Sequence, residues 1–162
     1  MRTVYIIMGV SGTGKSTIGT MLAQKLNIPF FDGDDFHPKA NIQKMASGQP
    51  LNDEDRYDWL VSLNELANKH KNKGAIIACS ALKSSYREIL RSGIEDSLQF
   101  IHLEGSYELI QSRMEKRTSH FMPPKLLESQ FETLEYPQDA ITVSVAHTPE
   151  KIITDILAHL NS

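Results

Sequence analysis

The sequence predicts an α/β protein built on a parallel sheet, and three observations carry that expectation. Short apolar, β-branched runs alternate with stretches of helical spacing along the 162 residues, as βαβ units require. The strongest of these runs are apolar throughout, the pattern of strands covered on both faces. The first, Val4–Met8, leads at once into Gly9-Val10-Ser11-Gly12-Thr13-Gly14-Lys15-Ser16, a G-x-x-x-x-G-K-S turn at the start of a helix.

Val4–Met8 is short, apolar and bounded by glycine, hence a buried strand, and Thr17–Leu26 carries helical spacing. Phe30-Phe31 forms a second strand running into Asp32. Two helical stretches follow, separated by a loop from Ser47 to Asp53, with Asp53 expected as the cap of the second. In that helix Trp59, Leu60, Leu63, Leu66 and Ala67 share one face, so Trp59 reads as core. Ala75–Cys79, Phe100–Leu103 and Ile141–Val145 supply three more strands. Helices are expected over Tyr107–Arg117, Lys125–Leu134 and Pro149–Leu160, the last with Thr148 as N-cap and Pro149 in its first position. No repeat or linker-like stretch interrupts the chain, which predicts one domain over 1–162.

Composition excludes several classes of function. A net charge of −3 argues against the basic face that nucleic-acid binding needs. No apolar run approaches the ~18 residues of a membrane span, and Val4–Met8 is too short for a secretory signal. Cys79 is the sole cysteine, which permits no internal disulfide and suits a reducing, cytoplasmic setting.

In parallel sheets ligands bind beyond the carboxyl ends of the strands, so the residues there carry the chemistry. After the first strand, Gly9, Gly12 and Gly14 permit positive φ and a close backbone approach. The loop Gly9–Thr17 (including Val10, Ser11, Thr13 and Thr17) then points N–H groups at an anion placed at the helix N-terminus. Lys15 would reach the β- and γ-phosphates of ATP, and the Ser16 hydroxyl would ligate Mg²⁺. After the second strand, Asp32-Gly33-Asp34-Asp35-Phe36-His37-Pro38 concentrates carboxylates that repel one another unless a cation or polyol sits among them. Asp32 is placed to hold Mg²⁺ directly or through water. Asp34 would accept a proton from a substrate hydroxyl, because positioning and electrostatics carry most of phosphoryl transfer. His37 is expected either on substrate hydroxyls or as a turn residue.

Arg56 would fork onto a carboxylate or phosphate, or pair with Asp53, Glu54 or Asp55. Lys83 and Arg87, four apart after the third strand, would hold the acidic end of a substrate or lie on a solvated face. Arg113 and Arg117, also four apart, stand at the base of a helix–loop–helix over about 114–134. That arrangement suits a lid whose arginines neutralise transferring charge; pairing of Arg113 with Glu108 or Glu128 is the alternative. Ala146-His147-Thr148-Pro149 would pack against an adenine, or His147 would be a turn residue. Cys79 has no activating partner and reads as a buried apolar residue.

The segments GVSGTGKST, DGDDFHP, NIQKMASGQPLNDEDRYDWL, CSALKSSYR, FIHLEG and HFMPPKLLESQFETLE, in this order, resemble the gluconate kinase (gluconokinase) family over residues 4 to about 145. The glycine loop alone would indicate only a P-loop NTPase; DGDDFHP and HFMPPKLLESQFETLE are far more restrictive. The resemblance implies a three-layer, nucleoside-monophosphate-kinase-like fold with a five-stranded parallel sheet and a helical lid. It implies ATP- and Mg²⁺-dependent phosphorylation of D-gluconate at its 6-hydroxyl, and a homodimer. Similarity of the D-x-D pattern to shikimate kinases implies Asp32 near Mg²⁺ and Asp34 at the substrate hydroxyl. The residues themselves argue only for transfer to a small hydroxylated anion. A nucleoside-monophosphate acceptor fits poorly beside Asp32–Asp35, and a nucleotide switch would leave those carboxylates without a role.

Overall fold

The computed structural model describes residues 3–116 and 124–161. Five strands, β1 (Val4–Met8), β2 (Phe30–Asp32), β3 (Ala75–Ala78), β4 (Leu98–Glu104) and β5 (Ile141–Ser144), form one sheet in the order β2-β3-β1-β4-β5. Every neighbouring pair is parallel. Seven α-helices connect or flank them among the described residues: α1 (Lys15–Leu26), α2 (Lys39–Ala46), α3 (Asp53–Lys69), α4 (Ser84–Arg91), α5 (Tyr107–Glu115), α6 (Pro124–Thr133) and α7 (Pro149–Leu160).

The alternation of side chains along each strand divides the core into two layers. Val4, Ile6 and Met8 of β1 point to one side, where Trp59, Leu60, Leu63 and Ala67 of α3 and Leu90 of α4 cover them. Ile7, Ile76 and Ile101 point to the other, against Ile18 and Leu22 of α1 and Ile152, Ile153 and Ile156 of α7. Both faces are therefore dry, which is why these strands read as continuous apolar runs.

The expected elements are present, with local corrections. The cap of α3 is Asn52 rather than Asp53: its side chain accepts from Asp55 N–H at 2.8 Å while Asp55 accepts from Asn52 N–H at 3.0 Å. That reciprocal box satisfies two donors at once and leaves Asp53 as the first helical residue. β3 stops at Ala78, one residue before Cys79, and β5 stops at Ser144. The cap of α7 is Thr148, with Pro149 following, as expected. No helix among the described residues is long and apolar enough to cross a membrane.

Candidate active site

β1 lies in the middle of the sheet, and the chain leaves it toward β2 while β4 leads the opposite way to β5. The crevice between such diverging connections is where α/β sheets bind ligands. The loop from Gly9 to Gly14 fills its floor. Gly9, Gly12 and Gly14 have φ of 147, 85 and 92°, as the sequence predicts. At Gly12 a Cβ would come within 2.9 Å of the Met114 side chain on α5, so both the conformation and the packing demand glycine. The Thr13 hydroxyl donates to Val10 O at 2.9 Å and ties the loop to itself.

Lys15 folds back over this loop, donating from Nζ to Gly9 O and Val10 O, each at 3.0 Å. Desolvation pushes its ammonium down to about 8, with the Asp34 and Asp32 carboxylates pulling the other way. The Ser16 hydroxyl donates to Asp32 Oδ2 at 3.3 Å, and Asp34 N–H donates to Asp32 Oδ1 at 3.0 Å. A hydroxyl beside a carboxylate is a hard-oxygen donor pair. It fits Mg²⁺, which takes one or two protein oxygens and completes its shell with water and phosphate. Ser16 and Asp32 are thus brought together as the spacing predicts.

Asp34 sits on a short 3-10 turn, Gly33–Phe36, that follows β2. Its carboxyl is held above the ordinary carboxylate range by desolvation first and by Asp32 second, against the opposing pull of His37 and Lys15. The turn is locked from beneath. The Trp59 indole N–H donates to Gly33 O at 2.8 Å, and a Cβ on Gly33 would stand 2.3 Å from Ala78 O. Trp59 is core, as expected, but its ring also stacks on His37 with centroids 4.3 Å apart and planes 16° from parallel. Burial keeps the His37 imidazole below its ordinary pKa, a shift that Asp34 opposes and Arg56 reinforces. Asn41, 4% exposed, donates to Asp55 O and approaches His37 Nδ1 at 3.4 Å.

Arg56 and Lys83 converge on Asp53 and Tyr86, a meeting that the spacing does not reveal. Lys83 Nζ lies 3.3 Å from both oxygens of Asp53, Tyr86 Oη donates to Asp53 Oδ1 at 2.6 Å, and Arg56 donates to Tyr86 Oη at 3.3 Å. Arg56 is also 3.8 Å from Asp53, the pairing foreseen as its alternative. Two cations share one carboxylate, so the cluster retains one positive charge. Its exposed ion pairs add little to stability.

Arg87 does not join them. The residue is 4% exposed, and its guanidinium donates to Ala81 O at 2.7 Å and to Glu135 O at 2.8 Å. Ala81 is in the left-handed region with φ 47°, a conformation that costs an alanine about 1 kcal/mol. Arg87 therefore clamps a strained turn, and the expectation that it holds the acidic end of a substrate gives way to that role. The N-terminus of α4 is engaged within the protein: Ser84 N–H donates to Glu135 Oε1 at 2.6 Å. Cys79 is buried, with its thiol pushed up to about 12 by desolvation, and is inert as expected.

On the far side of the loop a cavity of about 300 Å³ is bounded by Gly14, Thr17, Arg113, His147, Pro149 and Ile152. Arg113 and His147 thus line the flank of the phosphate loop where a nucleoside would lie. Arg117 and the 117–123 part of the expected lid lie outside the described residues. Sequence reasoning missed Tyr86 and Gln130, although both lie in segments that carried the family resemblance.

A phosphate cradle with an acidic turn on one flank and a nucleoside-sized cavity on the other defines a P-loop small-molecule kinase. The shikimate kinase family model matches residues 11–161. The chain is 48% identical over 149 residues to the thermosensitive gluconokinase of Escherichia coli, covering 88% of this chain and 79% of that protein. To the thermoresistant gluconokinase of the same organism it is 43% identical over 160 residues, covering 95% and 91%. A crystal structure of a gluconokinase from Sinorhizobium meliloti superposes with a TM-score of 0.90 at 41% identity, covering 99% and 94%. The chain belongs to the gluconokinase family, within the wider shikimate kinase group.

Proposed function

We propose that this protein transfers the γ-phosphoryl group of ATP to the 6-hydroxyl of D-gluconate, giving 6-phosphogluconate. The observation that carries the reading is the hydrogen-bonded chain that joins the donor loop to the acceptor turn: the Ser16 hydroxyl donates to Asp32 Oδ2 at 3.3 Å, and Asp34 N–H donates to Asp32 Oδ1 at 3.0 Å. With Lys15 beside Ser16 on the loop, one site would hold a phosphate-binding cation and a hydroxyl-orienting carboxylate. Residues Gly9–Thr17 hold the phosphates, and Arg113 flanks the nucleoside. Ser16 and Asp32 would hold Mg²⁺, which supplies charge neutralisation on the phosphates. Asp34, in its ionised form, accepts the proton of the attacking hydroxyl and aligns that oxygen with the phosphorus. His37 and Arg56 face the polyol, and Lys83 with Arg56 offers the positive charge left over from Asp53 to the substrate carboxylate.

The gluconokinase relatives supply the sugar acid, and the residual charge of the acceptor cluster agrees with an anionic substrate. The family resemblance adds a homodimer to the reading, and the lone cysteine suits a cytoplasmic setting; sedimentation velocity checks the dimer. Incubation with ATP, Mg²⁺ and gluconate, followed by ³¹P NMR, tests the whole. A phosphomonoester signal matching 6-phosphogluconate is expected, and unchanged ATP would refute the reading.

A further inference from the structure

Gln130 of α6 reaches the phosphate loop across 119 residues of sequence. Its Oε1 accepts from Ser11 N–H at 2.7 Å, and its Nε2 donates to the Ser11 hydroxyl oxygen at 3.0 Å. The polarity of this pair is fixed by chemistry. A backbone N–H can only donate, so the amide oxygen must face it; the NH₂ group then faces Oγ, which must accept. The single Ser11 hydroxyl proton is thereby turned away from Gln130, and among the described residues it meets no other acceptor.

The helix that carries Gln130 is itself held firmly. Leu127 is 2% exposed in the core, and Phe131 packs edge-on against Tyr107 with centroids 5.7 Å apart. Just beyond it, Glu135 N–H donates to Leu82 O at 2.8 Å, beside the contacts of Glu135 with Ser84 and Arg87. The amide is presented to the loop from a rigid support, as a group that orients another must be.

We propose that Gln130 is a positioning residue for phosphoryl transfer, holding the Ser11 hydroxyl as a donor toward a phosphoryl oxygen on the loop. The inference rests on the kinase reading above, since it requires a phosphate chain on that loop. A donor already oriented before the reaction needs no reorganisation as charge develops. Gln130 touches no substrate and acts only through Ser11.

A double-mutant cycle tests the assignment, with ADP release as the readout and the melting temperature as the check on folding. Gln130→Met removes both hydrogen bonds at nearly constant volume, and Ser11→Ala removes the hydroxyl. Each is expected to lower kcat roughly ten- to hundredfold, the loss of one hydrogen bond to a charged group. The gluconate KM should stay within about twofold. The double variant should be no slower than Ser11→Ala alone. Additive losses, or wild-type kcat in Gln130→Met, would overturn the inference while leaving the kinase reading intact.

Should Gln130→Met fail to fold, Gln130→Glu keeps the shape and the bond from Ser11 N–H. Its second oxygen draws the hydroxyl proton back, so a similar fall in kcat is expected, and wild-type turnover would overturn the inference. A wild type that releases no ADP with gluconate would end both readings.

Discussion

Lys15 carries a positive charge where the fold disfavours one. Desolvation brings its ammonium down to about 8, so in the free protein the charged form is lost as pH rises through that value. The alkaline limb of kcat/KM for ATP, which reports the free protein, should therefore fall near pH 8. Phosphates bound beside Lys15 favour the ammonium, so ATP binding above pH 8 should take up a proton, measurable by calorimetry in buffers of different ionisation enthalpy. Lys15→Met should lower kcat about 10²–10³-fold, the scale of losing one preorganised donor, without unfolding the chain. Asp34 shows the opposite behaviour. Its carboxyl lies above the ordinary range, so the base is lost as pH falls, and the acid limb should sit higher than an unperturbed aspartate would place it. Asp34→Asn should cost about 10²–10⁴-fold in kcat and abolish that acid limb.

Elements hold these groups through contacts with residues of other elements and loops. Trp59 of α3 supports the acceptor turn by its bond to Gly33 O and by stacking on His37. Trp59→Phe keeps a ring but orphans a carbonyl, so stability to urea should fall by about 1–3 kcal/mol and the gluconate KM should rise more than the ATP KM. Arg87→Lys keeps a charge but cannot span Ala81 O and Glu135 O with one planar fork. Urea unfolding should show a loss of similar size, with gluconate affinity falling because the left-handed Ala81 turn is released. These elements also mark where the sequence stops being informative. Strand, glycine loop and D-x-D turn are legible because each is local: a few residues at fixed spacing determine the backbone and the charge. Arg87 was misread because a cation after a strand has the same spacing whether it faces a pocket or clamps two carbonyls. Asn52 and Asp53 are adjacent and both cap helices well, so only the reciprocal bonds to Asp55 distinguish them. Gln130 gave no local signal of its role, since its partner lies 119 residues away.

At the scale of the whole molecule, the parallel sheet gathers donor and acceptor groups at one edge. Gly9 N–H donates to Ser80 O at 3.2 Å, so the loop after β1 is tied directly to the loop after β3. The acidic turn after β2 is fixed to the same strand by the approach of Gly33 to Ala78. Lys15, Asp32, Asp34 and Lys83 come from three different strand ends, and the strand order alone brings them to one crevice. The sequence predicts only a parallel sheet with βαβ connections; the placement of β1 at its centre comes from the structure. The central claim is that this crevice joins an ATP donor to a sugar-acid acceptor. ADP release with ATP and Mg²⁺, measured against gluconate, shikimate and adenosine monophosphate in parallel, tests it most directly. Release with gluconate alone is the expected result; release with adenosine monophosphate or shikimate instead, or with none of the three, would contradict it.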